Sequence, residues 1–399
     1  MTDAILILNA GSSSIKFGLF KMPPDREPVL LCKGLLDEHD AEPRLTIKGA
    51  AGNPLHDTHR GAADHDDQTL LVDILNWVDA YLASDDLVAV GHRVVHGGED
   101  FVAPAEIDDH VLQALRDLTP LAPLHQPRCL SPIRAIRSAR PKLLQIACFD
   151  TAFHHGLPPT VSRFAIPRSF DESGIRRYGF HGLSFEFIAR RLRDISPALA
   201  RKRTVVAHLG TGASLCAMHD GASIDTTLGL TPLDGLMRGT RCGAIDPGVL
   251  LYLQQTRGMS VGEVEHLLYQ ESGLLGVYGL SGDMRVLLAS ADPRAAEAVD
   301  LFTFRVAREI AAMANSLAGF ECLVFTGGIG EHAREVRQNV CQRLQWLGVA
   351  IDQAANGRSD LCINTAQSRV DVRVIPTNEE AIIACNCQTV LNERSSLPQ

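Results

Sequence analysis

Several stretches of this sequence carry side chains spaced for work on an anion. Near the start, Gly11, Ser12, Ser13 and Ser14 follow an apolar run, with Lys16 just beyond. A glycine, three hydroxyls and a lysine at a hairpin tip form a concave nest of N–H and O–H donors that suits phosphate. The G-x-x-x-x-G-K-[ST] spacing of a Walker loop is absent, and taken alone the run also reads as a polar turn between two core strands. Arg93 stands in Gly91-His-Arg-Val-Val-His-Gly-Gly-Glu99, after the short apolar strand Leu87–Val90. Open α/β sheets put their ligands at such strand ends, although a surface ion pair accounts equally well for one arginine. Asp150 closes another apolar run, and an acid there serves metal or transition-state work, or caps the next turn. A third Gly-rich turn, Gly327-Gly-Ile-Gly330-Glu331, reads as a loop opening a helix through Val336, Val340, Leu344 and Leu347, where the backbone can approach a ligand closely. Thr377 and Glu380 have the spacing of a capping box, which gives Glu380 a structural role and leaves Glu379 free to hold a metal through water.

The elements that position these residues follow from periodicity. Ile5 to Leu8 is a buried strand, and the alternation of Ile15, Phe17 and Leu19 is its antiparallel return. Leu70, Leu71, Ile74, Leu75, Val78, Tyr81 and Leu82 fall at helical spacing, residues 108–118 form a second helix, and Leu143–Phe149 is a strand. The segment Pro120–Pro127 reads as a rigid loop, and 156–180 as irregular. Then Arg203–Met218 repeats the opening pattern of strand, Gly-rich turn and strand, so that with one residue of slack Gly210 overlays Gly11 and Ser214 overlays Ser14. Two such units in one chain suggest a duplicated domain. Residues 225–247, rich in glycine and proline with Arg238 and Arg241, read as a long functional loop. Helices resume at about 261–271 and 294–319, and Val372–Pro376 is a last strand before a final helix.

Composition narrows the class. A chain of 399 residues, 45% hydrophobic and 21% charged, has room for two or more domains with full cores. A net charge of −9 and the lack of a basic stripe argue against nucleic acid, so an anionic ligand needs a local cationic cluster. No apolar run approaches a membrane span and no signal-like segment opens the chain, so a cytoplasmic protein is expected. The ten cysteines include no C-x-x-C, and most sit in apolar runs as buried, reduced thiols.

Together the motifs resemble the acetokinase family across essentially the whole chain: Asn9-Ala-Gly-Ser-Ser-Ser-Ile-Lys16, Arg93-Val-Val-His-Gly-Gly-Glu99, Phe149-Asp-Thr-Ala-Phe-His154, Arg177-Tyr-Gly-Phe-His181-Gly, His208-Leu-Gly, Thr231-Pro-Leu-Asp-Gly-Leu, Gly239-Thr-Arg241, Asp246-Pro-Gly and Phe325-Thr-Gly-Gly-Ile-Gly-Glu331. The resemblance implies an α/β protein of two ribonuclease-H-like, actin-like domains with the active site in the cleft, usually a homodimer. The first domain is expected to comprise 1–150 plus a C-terminal helix of about 380–399, and the second 151–379 with the nucleotide site. The implied reaction is Mg²⁺-dependent transfer between ATP and acetate, giving ADP and acetyl phosphate, with Mn²⁺ as an alternative ion. By residue, the resemblance assigns Mg²⁺ to Asn9 and Glu379. Nucleotide contacts fall on Lys16 with Ser12 and Ser14, on His208, Leu209, Gly210, Thr211 and Gly212, on Asp283, Met284 and Arg285, and on Gly328, Ile329, Gly330, Glu331 and His332. The reacting centre is assigned to Arg93, Asp150, His181 and Arg241, and a small apolar acyl pocket to Val95, Leu124, Phe180 and Pro232.

Thr211 and His332 depart from the asparagines usual in the family, and Leu183 and Phe185 from a Thr and a His. A carboxylate acceptor is ionised at neutral pH and needs no general base, so the task is electrostatic. Asp150 is therefore expected to orient Arg241 or a metal-bound water rather than move a proton. Val95 narrows the pocket relative to an alanine, which favours acetate with propionate as the alternative substrate. A nucleotide-driven binding protein of the same fold is the reading from another class, opposed by the cationic quartet and the lack of a peptide-binding domain.

Overall fold

The computed structural model describes residues 3–11, 14–23, 26–37, 43–59, 67–83 and 85–396. The chain divides into two compact units, Met1–Ala152 with Asn378–Gln399, and Phe153–Thr377.

The first unit is built on strands β1 (Ala4–Ala10), β2 (Ser14–Lys21), β3 (Val29–Asp37), β4 (Arg44–Gly49), β5 (Pro54–His59), β6 (Leu87–Val94), β7 (Ala105–Glu106) and β8 (Leu144–Phe149), ordered β5-β4-β3-β2-β1-β6-β8-β7. β1 is buried along its length, as its uninterrupted apolar run requires of a strand covered on both faces. On one face Leu6, Leu8, Phe17 and Leu19 pack with Leu71, Ile74, Leu75 and Val78 of the helix Asp67–Leu82. On the other lies the last helix, Glu379–Ser396. Gly91 makes its approach possible: a Cβ there would stand 2.6 Å from Cys387 Sγ and 2.9 Å from Ile383 Cγ2.

The second unit is built on β9 (Thr204–Leu209), β10 (Ala213–His219), β11 (Ala222–Thr226), β12 (Cys322–Thr326) and β13 (Asp371–Val374), ordered β11-β10-β9-β12-β13. Phe302, Val306 and Ile310 of the helix Pro293–Ser316 pack on Val205, Ala207 and Leu215. Phe185, Ile188 and Leu192 of the helix Gly182–Ile195 pack with Val206, Cys216 and Val324. The sheets repeat each other: β3-β2-β1-β6-β8 and β11-β10-β9-β12-β13 each consist of an antiparallel meander continued by two parallel strands. These are the two ribonuclease-H-like halves expected from the resemblance.

The structure corrects the sequence reading in five places. β6 continues past Val90 to Val94, so Arg93 is a strand residue. The loop read at 120–127 gives way at Gln126 to a helix, Gln126–Ala139, which the sequence reading did not mark; Leu130, Ile133 and Ile136 are buried along it despite Pro132. The Gly-rich turn after β12 is itself a short helix, Gly327–His332. The second hairpin turn is one residue shorter than the first: Asn9 pairs with Lys16 and His208 with Ser214, so Ser214 is the counterpart of Lys16 rather than of Ser14. Finally, the predicted capping box is not made: Asn378 Oδ1 caps the last helix by accepting from the Ala381 amide at 3.1 Å, and the Thr377 hydroxyl bonds Ser184. None of the ten cysteines forms a disulfide. Among the described residues no helix is long and apolar enough to cross a membrane.

Candidate active site

In the first unit, the carboxyl ends of β1, β6 and β8 and the start of the last helix bring four predicted residues together. Arg93 lies against Asp150, donating from Nε to both carboxylate oxygens at 3.1 Å and from Nη2 to Oδ2 at 2.6 Å. Asp150 is fully buried, and the guanidinium is 18% exposed. Burial opposes the Arg93 charge, but Asp150 and then Glu379 outweigh it and hold the guanidinium above its usual range. Arg93 Nη1 also donates to Asn9 Oδ1 at 3.2 Å. The Asn9 amide nitrogen in turn donates to Glu379 Oε2 at 3.0 Å and to Glu380 Oε1 at 3.1 Å. Glu380 is therefore a member of this cluster and not a capping residue; its pairing with Thr377 in the sequence hid that role. Both glutamates sit in the first helical turn, where the helix dipole favours negative charge.

The Asp150 oxygens and Asn9 Oδ1 are thus taken by Arg93, and among the described residues no group of three or more His, Cys, Asp or Glu side chains is placed to hold a metal ion. Lys16 is exposed on β2 opposite Asn9. Ser12 lies outside the described residues, and Ser14 is half-buried where β2 begins. Val95 is buried beyond the end of β6, whereas Leu124 is exposed.

In the second unit, two imidazoles face a glycine turn. His181 Nδ1 bonds Ser214 Oγ at 2.7 Å, and His208 Nδ1 bonds Ser184 Oγ at 2.8 Å, which reaches Thr377 Oγ1 at 2.9 Å. The rings stack with centroids 4.5 Å apart and 23° between planes. A Cβ at Gly212 would lie 2.7 Å from His181 Nε2, and one at Gly210 would lie 3.8 Å from His208 Nε2 and 3.7 Å from the Gly328 amide nitrogen. The two Gly-rich turns thus lie side by side, with Gly328 open to space and Thr211 exposed between Gly210 and Gly212.

Other predicted nucleotide residues are engaged in the fold. The Leu209 and Met284 side chains are core residues, so these positions offer a ligand only backbone. Gly330 is buried, and Ile329 packs against the same core. Glu331 Oε1 accepts from the amides of Gly327 at 2.9 Å and Thr377 at 3.2 Å, holding the turn; His332 is exposed. Asp283 caps the helix Met284–Ala289 and pairs with Arg285, a pattern repeated by Asp292 and Arg294 at the next helix, so the motif alone does not mark a ligand. Gly282 is nevertheless in backbone contact with Gly239, which sets this turn beside the loop of Arg241.

Arg241 stands 5.8 Å from the Tyr269 ring centre, and burial lowers its pKa. Beneath it, Arg238 is pushed down to about 9, by burial first and then by the Arg241 charge. The loop is clipped in place by Leu274 N to Arg238 O at 2.8 Å and Thr240 Oγ1 to Tyr269 O at 2.8 Å. Phe180 and Pro232 are buried. Sequence reasoning missed Glu380, Ser184 and Ser214; the one available signal was for Ser214, a hydroxyl in the repeated hairpin.

The family model for the acetokinase family matches residues 4–385. The chain belongs to the acetokinase family. It is 50% identical to an acetate kinase of Rhodopseudomonas palustris, over 96% of this chain and 97% of the relative. Among solved structures it resembles a propionate kinase from Francisella tularensis, at 37% identity and a TM-score of 0.88 over 96% and 98% of the two chains. It also resembles acetate kinase of Porphyromonas gingivalis, at 33% identity and a TM-score of 0.83 over 98% and 100%. The acetokinase departures at Leu183 and Phe185 fall on buried positions, where Phe185 meets the His208 ring edge-on at 6.4 Å.

Proposed function

We infer that this carboxyl-acceptor phosphotransferase moves the γ-phosphoryl group of ATP reversibly to acetate, giving acetyl phosphate and ADP. The name shared by the R. palustris and P. gingivalis relatives supports the activity, and the Arg93 cluster is the observation that carries its assignment to residues. A guanidinium has five N–H donors, and Asp150 and Asn9 engage three nitrogens while leaving one N–H on each terminal nitrogen. That pair suits a carboxylate gripped bidentately. Asp150 fixes the plane of Arg93, so its role here is to orient that arginine; the sequence reading had given it Arg241 or a water.

Asn9 and Glu379, joined by Glu380, would hold Mg²⁺, or Mn²⁺ in its place, which when bound neutralises phosphate charge. Arg241 and His181 act on the equatorial oxygens of the transferring group, and the amides of Gly210 to Gly212 and of Gly328 receive the nucleotide phosphates. Catalysis then rests on positioning and charge, because an ionised acceptor must meet an anionic phosphoryl group. Of the residues expected to line an acyl pocket, Val95 in the first unit and Phe180 and Pro232 in the second are buried, whereas Leu124 is exposed.

The test is Mg²⁺-dependent acyl hydroxamate formation from ATP and hydroxylamine with acetate, propionate and butyrate in parallel. Acetate is expected to give the highest kcat/KM. One observation favours propionate as the second reading, namely the name of the F. tularensis neighbour. A propionate optimum would replace the substrate while leaving the Arg93 assignment standing, and a pocket that differs by one methylene discriminates by only about 1–3 kcal/mol. The reading extends to a homodimer: the helix Pro247–Gln255 has no buried residue although Val249, Leu251 and Tyr252 are apolar and exposed, a surface suited to a second copy. Sedimentation at a mass near 43.3 kDa would reject the dimer.

A further inference from the structure

His154 is a buried imidazole that the reaction just described does not use. It closes a short turn after Asp150, and its ring bridges two elements: Nδ1 is 2.7 Å from Ser223 Oγ on β11, and Nε2 is 3.1 Å from the carbonyl oxygen of Phe180. A carbonyl brings no proton, so Nε2 carries the hydrogen and donates, and Nδ1 accepts from the Ser223 hydroxyl. Burial pushes its pKa down to about 4, which keeps this neutral tautomer at physiological pH. The ring is boxed in by Phe153 and Phe185, each edge-on at 5.6 Å. Across its face lies Gly179, at φ +79°, where a Cβ would fall 2.6 Å from His154 Cγ and Cδ2.

The bonded carbonyl belongs to the peptide that leads into His181. His181 is held at φ 58° and ψ 24°, in the left-handed region, immediately before the helix Gly182–Ile195. A non-glycine residue there costs on the order of 1 kcal/mol and persists only where its surroundings impose it. Ser214 holds the His181 ring at Nδ1, and His154 holds the peptide that precedes it.

We propose that His154 is a positioning residue for the transferring group: by donating Nε2–H to Phe180 it fixes the peptide that aims His181. This rests on the reading of His181 as a group at the reacting centre. It also assigns a purpose to the Gly179-Phe180-His181 corner, in which the glycine admits the ring, the phenylalanine supplies the carbonyl and the histidine takes the strained conformation.

The test compares His154→Phe, which keeps a ring and its volume but loses the donor, with His154→Gln, which restores an Nε2–H donor. Turnover is expected to fall 10- to 100-fold in His154→Phe with KM for ATP within about threefold of normal, and His154→Gln is expected to recover most of the loss. Normal turnover in folded His154→Phe overturns the proposal, as does an equal loss in both variants, which would point to ring shape alone. Should His154→Phe not fold, Ser223→Ala, which frees the ring at its other end, is expected to lower turnover several-fold, and no change there overturns it. His181→Ala separates the two readings: full turnover in that variant removes the role of His181 and the proposal with it, whereas a large loss there beside normal His154→Phe removes the His154 proposal alone.

Discussion

The two sheets are the same scaffold holding different chemistry at matching points. In the first, Leu8 pairs with His92, so Asn9 stands level with Arg93, and Arg93 pairs with Cys148, two residues before Asp150. In the second, His208 pairs with Thr326, and Phe325 pairs with Val374, which sets Thr326 level with Ile375, two residues before Thr377. Asn9, Arg93 and Asp150 thus correspond to His208, Thr326 and Thr377. The first set is an ion pair bordered by two more carboxylates; the second consists of an imidazole and two hydroxyls, without a formal charge on either threonine. The repeated framework thus carries a cluster of charged side chains at the strand ends of one sheet and an imidazole with two hydroxyls at the matching points of the other.

That contrast can be broken most severely outside the matched positions, at the loop that has no equivalent in the first sheet. Arg241→Ala is expected to lower kcat by roughly 10²–10³, as the loss of a preorganised electrostatic contact does; a drop below tenfold in steady-state assays would return the main work to the matched triads. Asp150→Asn keeps the shape of the first triad but removes its charge. Turnover should fall about 10- to 100-fold with the loss concentrated in kcat/KM for acetate, because Arg93 loses its orienting partner; near-normal acetate kinetics would mean that Arg93 holds its plane unaided. Glu380→Gln sharpens the same comparison more gently. The Mg²⁺ concentration for half-maximal rate is expected to rise several-fold while KM for acetate stays within twofold, and an unchanged Mg²⁺ requirement would confine the cation to Asn9 and Glu379.

The smallest effect is on stability. Among the buried histidines, burial lowers the pKa values of His92, against Gln145 in the first unit, and His154, against Phe180 in the second, from 6.5 to about 4. The unfolded chain takes up these protons first as pH falls, so the stability they contribute is intact above about 6.5 and lost progressively toward 4. Thermal stability should therefore fall as pH drops through that window, and His92→Gln should flatten the slope by a few degrees in Tm between pH 6.5 and 5. A slope identical to that of the unaltered protein would contradict the burial argument.

The sheets and the hairpin repeat were legible because apolar runs that end in Gly-rich turns recur along the chain, whereas Arg93 and Asp150 at strand ends each had a structural explanation of equal weight and were marked out by the motifs around them. What was not legible depended on register and competition. A turn one residue shorter shifted Ser214 onto the place of Lys16, and turn length is not fixed by composition. The Thr377–Glu380 spacing promised a cap, but the Thr377 hydroxyl was already bonded to Ser184 and the neighbouring Asn378 took the helix end. The helix Gln126–Ala139 went unmarked because its start lies in a run read as a loop up to Pro127, although a proline in the first turn costs a helix nothing and buried Leu130 and Ile133 sustain it past Pro132.

The return of the last helix to β1 and β6 sets an order on biosynthesis. A chain emerging from the ribosome makes Met1–Ala152 early, yet the face that shows Ile7 and Gly91 stays without its covering helix until all of Phe153–Thr377 has been translated. The unit that is begun first is thus finished last, and its apolar sheet face must wait in the nascent chain while the second unit, contiguous in sequence, can close on its own. Glu379 and Glu380 arrive with that same helix, so the hydrogen-bonded cluster around Asn9 is completed only when the fold itself is sealed.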